Sequence, residues 1–192
     1  VCSSDLRRNA RSEDRMQQEI ARGTILIDTR GEVVGQVNAL TVRDLGDHVF
    51  GLPARVTARA SIGRRGVINI ERDTDLGGPI QQKGAMVLQG FLAGHFARRL
   101  PMAFNCSITF EQSYGGVEGD SASMAELLAV VSDLSGLPLR QDLAITGSVN
   151  QRGQTQAVGG VRHKVAGFYR TCRESGGLTG SQGVVLPAAN EV

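Results

Sequence analysis

The most constraining feature of this sequence is a helix with almost no polar side. The spacing predicts a helix from near Ser121 to Gly136, with Pro138 beyond it as a stop. Ala122, Met124, Leu127, Leu128, Val130 and Val131 leave it apolar nearly all round, so it is expected to lie centrally, under other elements. A chain of 192 residues, 41% of them hydrophobic, can supply that cover as one domain or as one domain plus an arm.

The rest of the chain supplies strands and two more long helices. Residues 7–22 are polar and read as a linker helix. Thr24–Asp28 and Val33–Arg43 read as strands around a turn at Arg30-Gly31. Val49–Ile70 alternates loosely, with 63–66 as a hairpin turn. Gly77-Gly78-Pro79 opens a helix that runs to about Arg98, before a stop at Pro101, and Leu88, Phe91, Leu92 and Phe96 follow helical spacing. Residues 103–112 alternate as a strand. After the central helix come a strand at 143–149, a turn at 150–153, a helix at 160–174 and a last strand at 183–187. A β-rich N-terminal part followed by αβαβ alternation is a mixed α/β (or α+β) fold.

Composition excludes several functions. A net charge of +2 with no clustered basic face, six Phe, two Tyr and no Trp speak against a nucleic-acid binder. Cys2, Cys106 and Cys172 lie far apart with no C-x-x-C, and the three histidines form no metal-binding pair, so no metal is expected and a reducing cytoplasm is. No apolar run approaches the ~20 residues of a membrane span, and the N-terminus shows no signal peptide. It lacks an initiator Met, so the chain reads as the C-terminal part of something longer, with residues 1–21 as a linker or upstream remnant and 22–192 as the domain proper.

Two segments can carry chemistry. In Gly119-Asp120-Ser121-Ala122-Ser123 a serine sits where a loop becomes a helix, next to N–H groups that have no intrahelical partner and can face an oxyanion. The plainer alternative is that Asp120 or Ser121 caps the helix. In the helix at 160–174, Val161, Lys164, Val165, Phe168, Tyr169 and Cys172 share one face. Lys164 is thus an ammonium on an apolar stripe, and burial would lower its pKa toward that of a general base. The alternative is a stem that packs while the charge reaches water. Only one other lysine, Lys83, occurs in the chain. His163 points about 100° away from Lys164 and is expected to be exposed. Thr146, before Gly147, could hold the lysine amine, and Glu118 could meet the lysine or a substrate. No Walker A, G-x-G-x-x-G, H-E-x-x-H or EF-hand pattern occurs.

Taken together, VVGQVNALTV (33–42), SITFEQSYGGVEGDSASMAELLAVVS (107–132), AITGSVNQRGQTQAVGGVRHK (144–164) and GVVLPAAN (183–190) resemble the proteolytic domain of Lon proteases. The Gly-Asp-Ser-Ala-Ser form is similar to the B-type and Lon-like branch. The resemblance spans roughly residues 22–190. It implies a compact α/β proteolytic domain in which Ser121 is the nucleophile, Lys164 the base and Thr146 its support, with Glu118 in a role that varies across the family and backbone N–H groups around Asp120 and Ala122 facing the oxyanion. It also implies a serine endopeptidase of unfolded or damaged proteins, serving protein quality control from a homo-hexameric ring. That ring would be coupled to an upstream AAA+ module, absent from this chain, which uses ATP and Mg²⁺; the chain itself would need no cofactor. The rival readings are a non-catalytic ring-assembly module of the same fold and a serine–lysine amidase with a non-protein substrate.

Overall fold

A computed structural model describes residues 3–96 and 103–191, with only the backbone for residues 3–8. The elements are α1 (Ser3–Ala21), β1 (Glu32–Val33), β2 (Gln36–Asp44), β3 (Val49–Ile62), β4 (Gly66–Asn69), α2 (Ile70–Asp73), α3 (Pro79–Phe96), β5 (Phe104–Phe110), α4 (Ser123–Ser135), β6 (Leu139–Arg140), β7 (Leu143–Ile145), β8 (Ser148–Val149), β9 (Thr155–Gln156), α5 (Val161–Glu174) and β10 (Gly183–Val185). The fold is mixed α/β. Six strands form one sheet in the order β10-β7-β2-β3-β5-β4, and β1-β6 and β8-β9 form two small antiparallel pairs.

Alternation along the strands assigns the two faces of the sheet. Val37 and Ala39 of β2, Val56 and Ala58 of β3, and Cys106 and Ile108 of β5 pack with Leu88 and Leu92 of α3 and Ala125, Ala129 and Val130 of α4. Leu40 of β2 points the other way, with Ala144 of β7, onto Phe168 and Cys172 of α5. The helix layers therefore sandwich the sheet. No described helix is long and apolar enough to cross a membrane.

The structure departs from the sequence-based expectations in several places, among them the strand expected at 143–149, which breaks at Thr146-Gly147 into β7 of the large sheet and β8 of a separate pair. Residues 63–66 do not close a hairpin, because β5 inserts between β3 and β4, antiparallel to the first and parallel to the second. Thr24–Asp28 joins no ladder; instead the Gln112 amide accepts from Leu26 N–H and donates to the Thr24 carbonyl. α4 begins at Ser123, two residues late, and Val131 and Leu134 are exposed, so its cover is incomplete. Val165 and Tyr169 of α5 are exposed too; the buried face is Lys164, Gly167, Phe168, Thr171 and Cys172. The polar helix α1, read as a linker, is docked on α5: buried Gln17 donates to the Gly167 carbonyl and accepts from Thr171 Oγ1. The expected stop at Pro101 lies outside the described residues.

Candidate active site

Ser121 sits on a turn pinned from both ends. Gly119 enters it at φ +88°, a left-handed backbone that favours glycine. On the far side Ser121's carbonyl accepts from Gly147 N–H at 2.7 Å and from Thr146 Oγ1 at 3.1 Å, while Met124 N–H donates to the Gly147 carbonyl. The N-cap of α4 is Ala122, with no side-chain capping bond. Neither Asp120 nor Ser121 uses its side chain as a cap, so the Ser121 hydroxyl is free for another partner. Ser123 N–H turns back to the Asp120 carbonyl, and among the described residues the N–H groups of Ser121 and Ala122 meet no acceptor.

That other partner is Lys164. A Cβ at Gly51 would lie 2.1 Å from the His163 carbonyl oxygen, and one at Gly167 would lie 2.0 Å from the Gly51 carbonyl oxygen. The two glycines let α5 lie backbone against backbone on β3, which sets the depth at which Lys164 enters the protein. Its side chain is 2% exposed, and Nζ donates to Ser121 Oγ and to Thr146 Oγ1, each at 2.9 Å. Thr146, fully buried, passes its own proton on to the Ser121 carbonyl, so its oxygen is oriented to accept from the amine. Burial lowers the Lys164 pKa, and the nearby charge of Asp120 opposes part of that shift. Among the described residues, no carboxylate is hydrogen-bonded to the amine.

The other sequence-predicted residues lie around this trio. The Asp120 carboxylate accepts from Ser148 Oγ at 2.8 Å. Ala122 is buried beside the nucleophile position. Glu118 is exposed and turned to the N-terminus of α3, where it accepts from Ile80 N–H at 3.2 Å; its carboxylate closes on Gly78, where any Cβ would collide with it. His163 is exposed, as its angle from Lys164 predicts. Two features escaped the sequence reading: Ser148, whose only signal is its place two residues after Thr146, and the Gly51–Gly167 contact, which joins residues far apart in the chain. Ser121 and Lys164 open onto a groove of about 590 Å³, whose walls include Leu40, Val42, Leu52 and Val117. Among the described residues no cluster of His, Cys, Asp or Glu could hold a metal ion.

Residues 110–191, which contain every one of these candidate residues outside β3, match the model of the Lon protease (S16) C-terminal proteolytic domain. The chain belongs to the Lon proteolytic domain family. It is 48% identical over 179 residues to a Lon protease homolog of Escherichia coli (strain K12), covering 92% of this chain and 30% of that protein. A Lon protease homolog of Haemophilus influenzae is 43% identical over 171 residues, which is 88% of this chain and 28% of that protein. An archaeal Lon protease of Thermococcus kodakarensis is 31% identical over 169 residues, 86% of this chain and 24% of that protein. The chain thus spans less than a third of the length of these curated relatives. Similarity to the relatives extends upstream of residue 110, over the strands on which the Lon domain's Lys164 helix rests.

Proposed function

We propose that this Lon domain is a serine endopeptidase working through a Ser121–Lys164 dyad. The observation that carries the reading is the buried Lys164 amine, 2.9 Å from both Ser121 Oγ and Thr146 Oγ1 at the wall of an open groove. In its neutral form the amine has a lone pair, which takes the proton of Ser121 Oγ while an amine N–H stays on Thr146. Ser121 Oγ bonds to the peptide carbonyl carbon, and the carbonyl π electrons move to oxygen, where the N–H groups around residues 120–122 receive them. The C–N bond then breaks, and Lys164 gives its proton to the departing amine. Water attacks the ester, Lys164 takes its proton, and Ser121 recovers one as the acid product leaves.

In this reading the substrates are unfolded or damaged proteins, threaded into a homo-hexameric ring in the cytoplasm. An upstream AAA+ module in cis consumes ATP with Mg²⁺, and the peptide-bond chemistry draws on this chain's residues alone. The test is intact-mass analysis after incubation with a fluorophosphonate, together with casein digestion. The expected result is a single adduct on wild type, lost in Ser121→Ala and Lys164→Ala, with casein cleaved only by wild type. An assembled ring that takes no adduct would instead be the assembly-module reading. An adduct without casein cleavage would point to a non-protein amide substrate.

A further inference from the structure

We propose that Ser148 is a positioning residue of the dyad: its hydroxyl holds the Asp120 carboxylate, so that Lys164 keeps its hydrogen bonds to Ser121 and Thr146 instead of pairing with Asp120. The inference rests on the dyad reading above and adds to it a residue that tunes the base.

Asp120 adjoins the nucleophile in sequence, and its charge reaches Lys164. A carboxylate that turned onto the amine would make an ion pair, and the ammonium so stabilised could not accept the serine's proton. What holds the carboxylate elsewhere is the 2.8 Å bond from Ser148 Oγ. Ser148 is itself 5% exposed and opens β8, two residues beyond Thr146, so the short link between β7 and β8 supplies the amine's acceptor and leads directly into the hydroxyl that occupies the acid. A buried hydroxyl donating to a carboxylate makes a strong, charge-assisted bond.

The other charged groups near Lys164 are engaged or turned away. Asp44 accepts from Gly46 N–H, Glu111 from Thr57 and Glu118 from Ile80, while Arg55 pairs with Asp28. Glu13 and Asp14 of α1 pair with Arg170, Glu13 also meets His48, and Arg162 and His163 of α5 itself are exposed. Arg43, whose guanidinium lies over Gly115, is the remaining charge on the groove wall. Asp120 alone among the described carboxylates raises the amine's proton affinity.

Because Lys83 and Lys164 are the only lysines, selective ¹³Cε-lysine labelling gives two NMR signals, and Lys83→Arg assigns them. The Lys164 titration midpoint is expected to rise by about one pH unit in Ser148→Ala, a tenfold change in proton affinity. In Ser148→Thr, which keeps the hydroxyl, it should stay near wild type. In an Asp120→Asn background, Ser148→Ala should add nothing. Ser148→Cys keeps the volume with a weaker donor and reads the same displacement if the alanine variant does not fold. An unmoved midpoint in Ser148→Ala, or a shift that survives Asp120→Asn, would overturn the proposal. Fluorophosphonate labelling run on the same samples separates the two readings. An assembled wild-type ring without an adduct breaks the endopeptidase reading, whereas the NMR shift reports the Ser148–Asp120–Lys164 arrangement by itself.

Discussion

Two buried ionisable groups in this protein differ in what lies beside them, although burial acts on both. Lys164 on α5 and Glu126 on α4 are each 2% exposed, and in each burial favours the neutral form. Glu126 is pushed up to about 7, chiefly by burial and further by the charge of Glu71, against hydrogen bonds from Gln81 and Asn69. Glu71 in turn is sealed beneath Thr109 and the Phe110 N–H. Both acids are enclosed among α2, α3, α4 and β5. Lys164 lies next to a hydroxyl that opens on the groove. A perturbed ionisation alone therefore marks burial; the opening beside it is what lets a neutral amine act on something outside.

Four substitutions would break or sharpen this contrast, and they are ordered by expected effect. Lys164→Arg keeps a cation but no lone pair, since arginine does not give up its proton. Peptidase activity should fall by roughly a thousandfold or more in kcat/KM, with the far-ultraviolet circular dichroism unchanged. Gly167→Ala places a Cβ 2.0 Å from the Gly51 carbonyl and must push α5 off β3. A loss of roughly 3 kcal/mol in urea unfolding is expected, along with slower fluorophosphonate labelling of Ser121 as the amine withdraws.

Glu126→Gln tests the sealed site. The folded protein holds this proton more tightly than the unfolded chain, from the ordinary 4.5 to about 7. The folded state therefore binds the extra proton between those values, and its stability is fully present below pH 4.5 and falls as pH rises through 7. The wild type should lose up to roughly 3 kcal/mol across that window, a slope that Glu126→Gln removes. Urea titrations at pH 5 and 8 measure it, and the Lys164 titration should not move. Thr146→Val deletes one of the amine's two acceptors at constant volume, and about a tenfold loss of kcat/KM is expected, with Thr146→Ser restoring most of it.

Ser121, Thr146 and Lys164 each stand in a short segment whose local pattern permits chemistry but also permits capping or snorkelling, and the resemblance to Lon proteolytic domains is what joins the three. A serine stood at a loop-to-helix junction, a threonine came before a glycine, and a lysine stood on an apolar stripe. The apolar stripe in the sequence is wider than the face that α5 buries. Val165 and Tyr169 share the helical spacing of Phe168 and Cys172, yet the contact with β3 narrows the buried face to the side on which Gly167 sits. Ser148 was invisible for a related reason: a serine in a strand has no pattern of its own until the carboxylate it holds is seen across the site.

Local patterns in the sequence determined most of the element types, the helix that bears the lysine and the loop that bears the serine, because helical and strand periodicities depend on neighbours a few residues away. The order of the sheet belonged to the tertiary structure. β5 lies between β3 and β4 because pairing in a sheet is chosen among distant strands by what their faces bury, and a turn at 63–66 carries no information about that choice. The same holds for the 2.9 Å contact of Lys164 with Ser121: 43 residues separate them, and their distance is set by two glycines that let a helix rest on a strand.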